Sequence, residues 1–210
     1  QNGYYFVRYL MWNFVGRQND LEGHMENNRG NWISGIPFVD NAMWGDQSKM
    51  PEKFKNESTV TFFFIPLLLG LIGFFFQLNR DFGRFYAILS LFVITSVGII
   101  FYTGVQPFEV RERDYAMVAS FFAFSIWIGL GAAAILWFIQ EKVKSNAVNV
   151  VAGIVLMGIP LMMGFQNYNV HDRSGRSAAY DYAYSTLKSL PKNDILFVYG
   201  DNDTYPIWGM

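Results

Sequence analysis

The sequence predicts an all-α protein that crosses a membrane several times and ends in the beginning of a soluble α/β domain. Hydrophobic residues make up 52% of the 210 residues and charged residues only 16%, below the roughly 25% charged residues of ordinary soluble domains. Four long stretches carry no charged residue. From residue 166 onward the composition becomes polar, and a helical pattern is followed by a short apolar run.

The N-terminal part, residues 1–58, contains an aromatic stretch and a polar loop. Tyr4 to Val15 is apolar except for Arg8 and Asn13. As a helix it reaches about 18 Å, too short for a bilayer core of roughly 30 Å. An interfacial helix and the end of a span that begins earlier both fit. Residues 16–58 are rich in turns and lack a sustained period, which predicts an ordered loop on the membrane surface.

Residues 59–165 contain the four uncharged stretches, 59–78, 85–103, 115–140 and 147–165. Each is long enough for a transmembrane helix of about 17–25 residues, and buried helices of a soluble core would not all lack a polar face. Pro66 and Pro160 lie within them and predict kinks. Because the spans contain no charge, no ion or proton path is visible, which argues against a channel or transporter.

Membrane orientation is only weakly encoded. Each short loop between spans carries two basic residues, so the positive-inside rule does not distinguish cytoplasmic loops from outer loops. The linkers 79–84 and 141–146 are net positive and the central loop is net negative. This difference favours cytoplasmic linkers, which places residues 16–58, residues 104–114 and the C-terminal tail together on the outer face.

The composition of the tail, residues 166–210, predicts that it begins a soluble domain. Ser177 to Leu190 has apolar residues at three- and four-residue spacing, which predicts a helix. Ile195 to Tyr199 is a short apolar run between turn signals and predicts a buried strand, with residues 200–203 as the turn after it. One helix and one strand cannot form a core alone, so more chain is needed.

The strongest candidate for a binding site is the charged loop between the second and third spans. It contains Arg111, Glu112, Arg113 and Asp114. Two arginines at headgroup level can bind a phosphate through forked hydrogen bonds, and a neighbouring carboxylate can act as a base or orient an acceptor. Arginine–carboxylate pairs that merely anchor the loop are the alternative.

Two weaker candidates lie in the tail. The first is a cluster of His171, Asp172, Arg173 and Arg176, which suits acid–base chemistry. Its alternative is structural, with Asp172 or the nearby Ser174 capping the following helix.

The second is the pair Asp201 and Asp203. Its spacing is the one with which soluble nucleotide-sugar transferases hold a divalent metal, and carboxylates suit such ions. An ordinary turn explains the pair equally well, so a divalent metal stays open and no metal site is predicted.

Several functions are excluded by composition and by missing motifs. The net charge of −1 indicates no excess of basic residues for binding nucleic acid. The absence of cysteine excludes disulfides and thiolate metal sites. Phosphate-binding glycine loops and nucleophile elbows do not occur, so no cofactor is visible. The chain begins at Gln1 without a signal peptide, from which we expect an internal excerpt of a longer protein.

Several segments carry a family resemblance: YYFVRYLMWNFVGRQND, NWISG, PFEVRERDYA, FSIWIGLG, HDRSGR and GDNDTYPIW. In this order they resemble a family of large bacterial multi-pass membrane proteins, first catalogued as a domain of unknown function. That family is grouped with the human transmembrane protein O-mannosyltransferase that acts on plexin-type receptors. The segments are spread along nearly the whole chain.

The resemblance implies a GT-C-like membrane fold in a bacterial inner membrane, a polyprenyl-phosphate sugar donor and a protein acceptor on the periplasmic side. It also implies that the tail leads into a periplasmic domain. The catalytic carboxylate of GT-C enzymes lies in the first outer loop, which is expected upstream of Gln1. A non-enzymatic membrane scaffold or transport-associated subunit, docking to a membrane complex, is the alternative function.

Overall fold

The computed structural model describes residues 2–23, 26–104 and 113–210, which are mostly helical. The chain divides into two compact units, Gln1–Asn169 and Val170–Met210, which are described separately. Two short strands, β1 (Gly16–Arg17) and β2 (Val60–Thr61), pair antiparallel. The helices are α1 (Asn2–Phe14), α2 (Pro37–Trp44), α3 (Ile65–Arg80), α4 (Phe82–Val93), α5 (Ile99–Thr103), α6 (Val118–Val143), α7 (Asn146–His171), α8 (Ala178–Ser189) and α9 (Asp201–Trp208).

Three of the four predicted spans are long apolar helices. A π-helical turn, Ile94–Gly98, joins α4 to α5, and a 3-10 turn, Asp114–Met117, precedes α6. The resulting helical stretches, Phe82–Thr103, Asp114–Val143 and Asn146–His171, are long and apolar enough to cross a membrane. They contain the predicted spans 85–103, 115–140 and 147–165, and they indicate that the protein associates with a membrane.

The first predicted span, 59–78, differs from the structure at its start. Residues 60 and 61 form β2, and the helix begins only at Ile65. Phe63 and Phe64 have positive φ, which interrupts the helical backbone, and Pro66 lies in the first turn, where proline is favoured. The predicted kink at Pro66 is therefore wrong. The 16 residues of α3 reach about 24 Å.

Helices α3 and α6 pack closely because glycines face each other. A Cβ atom on Gly73 would collide with the backbone of Trp127, and one on Gly131 would collide with the backbone of Leu69. Small residues at such a contact let helix backbones approach. Beside it the buried Trp127 Nε1 donates a 2.8 Å hydrogen bond to Gln77 Oε1, which satisfies both polar groups within the apolar contact.

An aromatic core connects α1 to the membrane helices. Phe14 of α1 lies 4.6 Å from Phe124 of α6 between ring centroids. Phe6 lies 5.5 Å from Phe92 of α4 in an edge-to-face arrangement. The predicted N-terminal helix is thus confirmed, and it packs on the bundle. The buried core residues are Tyr5, Tyr9, Trp12, Phe14, Phe85, Ile100, Met117, Phe121, Phe124 and Trp127.

The loop 16–58 is held by buried amides rather than by an apolar core. Asn19 Nδ2 donates to the carbonyl oxygens of Asn28 (3.0 Å) and Phe54 (2.9 Å), and its Oδ1 accepts from the Gly30 amide (2.8 Å). Asp40 accepts from the amide and the hydroxyl of Ser34. These bonds order the parts of the loop outside β1 and α2, since buried backbone groups must find partners.

The second unit contains α8 and α9, which pack against each other. Helix α8 confirms the predicted helix 177–190. The predicted strand 195–199 is wrong: these residues form no strand, and Ile195, Phe197 and Tyr199 are almost fully exposed. A strand needs a partner, and the described tail contains no second strand. The predicted turn 200–203 is also wrong, since Asp201 begins α9.

The contact between α3 and α6 predicts that Gly131→Ala destabilises the fold. We expect a loss of about 1–3 kcal/mol, because an overpacked contact must shift backbone atoms. Gly129→Ala on the same helix is the matched control, since a Cβ there meets nothing within 4 Å. Thermal unfolding in detergent measures both. Equal midpoints for the two variants would show that the helices do not approach at Gly131.

Candidate functional site

A cluster of two arginines, Arg8 and Arg17, lies against the Trp12 ring. Arg8 is only 2% exposed although it lies in the middle of α1. Its guanidinium carbon lies 4.6 Å from the centre of the Trp12 ring, and its Nε donates a 2.6 Å hydrogen bond to the Gly30 carbonyl oxygen. Trp12 Nε1 donates to the same oxygen at 3.2 Å. Arg8 therefore connects α1 to the loop 16–58.

Gly30 makes this contact possible. Its φ is +58°, and a Cβ atom at this position would lie 2.6 Å from Arg8 Nη2 and 2.6 Å from the Leu21 carbonyl oxygen. Only glycine combines the left-handed backbone with the free space that the guanidinium occupies. The loop is thus shaped around Arg8.

Arg17, in β1, is the second arginine of the cluster. Its guanidinium carbon lies 5.8 Å from the centre of the Trp12 ring, and its Nε donates a 3.0 Å hydrogen bond to the Ser58 carbonyl oxygen. Burial lowers the pKa of Arg17, while the charges of Asp20 and Asp114 oppose that shift. The side chain nevertheless stays charged at neutral pH.

The Nη2 atom of Arg17 is buried and has no hydrogen-bond partner among the described residues. A buried donor without a partner is uncommon and calls for an explanation, such as a bound ligand. A guanidinium offers forked donors whose geometry matches the oxygens of a phosphate or a carboxylate. Arg17 is therefore the residue in the described cluster best suited to bind an anion.

The predicted central-loop site joins this cluster through its last two residues. The backbone amide of Arg113 donates a 3.3 Å hydrogen bond to the Tyr9 hydroxyl. Asp114 begins the 3-10 turn before α6 and acts electrostatically on Arg17. Arg111 and Glu112 lie outside the described residues.

Sequence reasoning did not select Arg8 or Arg17 as site residues. A signal for Arg8 was present, since a charge within an aromatic helix beside a membrane indicates a specific role. Arg17 carried no comparable signal, because it stands in a polar run and its burial depends on the pairing of β1 with β2. The structure thus places Arg17 beside the last two residues of the predicted site, with Arg8 as a structural neighbour.

An apolar groove of about 890 Å³ lies between α6 and α7. Small residues on both helices keep it open, namely Gly129 and Ala132 of α6 and Gly153 of α7, and Phe14 contributes from α1. Helix α7 has no buried residue. A groove of this size and composition suits a long hydrocarbon chain.

The first tail candidate forms local contacts in the second unit. The hydroxyl and amide of Ser174 donate to Asp172 and lower the pKa of its carboxyl group, with a distance of 2.9 Å from the amide. The predicted cap by Asp172 or Ser174 is wrong, since Ser177 precedes α8. His171 ends α7, and the Arg176 Nη2 lies 3.4 Å from the Val170 carbonyl oxygen. Arg173 accepts from the Arg176 amide through its carbonyl oxygen.

The second tail candidate, Asp201 and Asp203, lies in the first turn of α9. Carboxylates there interact favourably with the positive end of the helix dipole. Among the described residues, no three histidine or acidic side chains come together as a metal site. The presence of two carboxylates in the first turn of α9 thus has a structural explanation that needs no metal.

Comparisons with known proteins connect the chain in part to O-mannosyltransferases. Residues 179–210 match the TMEM260-associated domain 2. A stretch of 48 residues is 42% identical to the protein O-mannosyl-transferase tmem260 of Dictyostelium discoideum, and it covers 23% of this chain and 6% of that protein. The match therefore covers only a small part of that relative's length. No solved structure is significantly similar to the chain.

The contact between Arg8 and Gly30 predicts that Gly30→Ala loosens the loop 16–58. We expect faster amide hydrogen exchange in residues 16–58, because the added methyl group displaces the guanidinium. Gly104→Ala is the matched control: Gly104 has the same φ (+58°) as Gly30 and lies outside the loop, and a Cβ there meets nothing within 4 Å. The assignment of Arg8 fails if both variants exchange at the same rate.

Proposed function

We propose that this chain is part of an integral-membrane glycosyltransferase, similar to the protein O-mannosyltransferases, which takes its sugar from a lipid-phosphate donor. The buried Nη2 of Arg17, without a partner among the described residues, is the observation that carries the proposal. The partial similarity to an O-mannosyltransferase supports the reaction class, and the three long apolar helices support a membrane setting.

In this proposal the arginine cluster binds the phosphate of the donor. Arg17 supplies the free guanidinium donor, and Arg113 lies beside Tyr9 in the same cluster. Arg111, in the central loop, is expected to supply a second guanidinium whose paired N–H groups donate to the phosphate. Glu112 and Asp114 are the carboxylates expected to orient the acceptor or to hold the arginines in position. The phosphodiester of such a donor carries one negative charge, and cations in partly apolar surroundings would favour its binding.

The groove between α6 and α7 is the proposed place for the carbon chain of the donor. It is lined almost entirely by apolar side chains, and it lies along two helices that are long enough to cross a membrane. Its lining extends to Met163, one turn before Gln166, whose Oε1 accepts a hydrogen bond from the amide of Thr61 in β2. The groove thus approaches the strand pair that carries Arg17.

The remaining expectations from the family resemblance belong to the same proposal. We place the chain as an excerpt of a GT-C-like protein in a bacterial inner membrane. Residues 16–58, residues 104–114 and the tail then face the periplasm. The catalytic carboxylate lies upstream of Gln1, and residues 166–210 belong to a soluble domain.

A non-enzymatic scaffold is the alternative function, and one observation favours it. Ile195, Phe197 and Tyr199 alternate along the tail and are almost fully exposed, as expected for a surface that docks to a partner. Stable co-purification with a membrane complex, together with no binding of a lipid-phosphate sugar, would favour the scaffold over the transferase.

The phosphate assignment predicts that Arg17→Gln impairs use of the donor. A hydrogen bond to a charged group contributes about 1.5–3 kcal/mol, so we expect KM for a polyprenyl-phosphate sugar to rise about ten- to hundredfold. Sugar transfer by the purified full-length protein measures this change. Arg113→Ala is expected to act in the same direction.

Arg84→Gln is the control for the loss of a positive charge, since Arg84 is highly exposed in an ion pair with Asp81. Its KM should stay unchanged. Arg17→Lys keeps the positive charge but loses the paired N–H donors of the guanidinium. Its KM should lie between those of the wild type and Arg17→Gln. An unchanged KM in both Arg17→Gln and Arg17→Lys, with normal thermal stability, would remove Arg17 from donor binding.

The groove assignment predicts that Gly153→Leu weakens donor binding, because the added side chain fills space that the carbon chain would occupy. The expected effect is an increase in KM for long polyprenyl donors that is smaller for donors with a short chain. Gly164→Leu on the same helix is the control, since Gly164 does not line the groove. Equal sensitivity to long and short donors would place the carbon chain elsewhere.

A further inference from the structure

Helix α2 exposes large apolar side chains in a loop that is otherwise polar. Phe38 is 84% exposed and Met43 is 51% exposed, while Asp40 is buried against the loop by hydrogen bonds from Ser34. The helix is therefore fixed to the loop by its polar side and presents its apolar side outward. This surface has no role in the proposed function.

The exposed face of α2 is divided between apolar and polar residues. With about 100° between successive residues, Phe38 and Ala42 lie at its centre. Val39 and Met43 lie on one flank, and Asn41 lies on the other. One flank thus suits hydrocarbon and the other suits water. Such a division is typical of a helix that lies in the plane of a membrane interface.

The position of α2 relates this face to the membrane helices. The indole of Trp32 lies 5.9 Å from the ring of Trp44, at the end of α2, and 6.0 Å from the ring of Phe64, just before α3. The Phe63 amide also donates a 3.0 Å hydrogen bond to the Ser34 carbonyl oxygen. Helix α2 is therefore attached beside the beginning of α3, and tryptophans are enriched at this level of a membrane.

The length of α3 gives an independent reason for a membrane contact here. Its 16 residues reach about 24 Å, whereas the hydrocarbon core is about 30 Å thick. Phe63 and Ile65, at the beginning of α3, are exposed. The ring contacts of Trp32 with Trp44 and Phe64 connect α2 to this end of α3, so the apolar residues of α2 can extend the apolar surface there.

We propose that α2 is an interfacial anchor that places Phe38 and Met43 among the lipids beside the start of α3. The segment after α2 contains the ion pair between Asp46 and Lys49, so the membrane contact ends with the helix. The occupant of this face is the lipid bilayer itself.

Site-directed spin labelling tests the proposal, because the chain contains no cysteine of its own. Phe38→Cys, Met43→Cys and Asn41→Cys variants of the full chain carry one nitroxide each, in vesicles of phosphatidylcholine and phosphatidylglycerol. The ratio of collisions with oxygen to collisions with a water-soluble nickel chelate is measured at each site. We expect this ratio to be several-fold higher at residues 38 and 43 than at residue 41.

Two results would overturn the proposal. Equal, low ratios at residues 38 and 41 would place α2 in water. Low accessibility of residue 38 to both reagents would show that protein, from another part of the chain or a second copy, covers the face. All three labelled side chains are exposed, so the variants should fold. The outcome does not depend on sugar transfer, and it therefore stands apart from the test of the proposed function.

Discussion

The close approach of α3 and α6 is the contact on which the rest of this structure depends. Gly73 and Gly131 bring the two backbones together, and the hydrogen bond between Trp127 and Gln77 satisfies the polar groups beside them. Since β2 ends only a few residues before α3, the position of this helix also determines where β2 lies. Strand β2 in turn pairs with β1 and so holds Arg17. A contact between two apolar helices thus positions a charged side chain outside them.

The two arginines beside Trp12, one buried and one half-buried, differ in their hydrogen-bond partners. Arg8 donates to Gly30 from a space that the loop leaves for it, so its charge connects two parts of the fold. Arg17 uses Nε for the Ser58 carbonyl oxygen and leaves a buried Nη2 without a partner among the described residues. Burying a donor in this way is costly unless it gains a partner. The difference explains why one arginine is structural and the other is a candidate for binding.

The sequence predicted those parts that depend on local composition. The long helices around 85–103, 115–140 and 147–165 follow from uncharged stretches of sufficient length. Prediction from the sequence failed where tertiary contacts determine the secondary structure. Residues 60 and 61 form a strand only because they pair with β1. The run 195–199 has strand composition but finds no partner strand in the described tail. Of the candidate site, Arg113 and Asp114 were predicted, whereas Arg17 acquires its burial only through the fold.

The tryptophans relate the two proposed sites to one level of the membrane. Arg17 forms a backbone bridge with Trp32, and the Trp32 indole contacts both Trp44 at the end of α2 and Phe64 at the start of α3. If α2 lies in the interface, then Trp32 lies at the level of the lipid headgroups, where indoles are favoured. The backbone of Arg17 then lies at the same level. Phosphates of membrane lipids occupy this layer, so an arginine with an unused donor there is placed where a lipid phosphate would be.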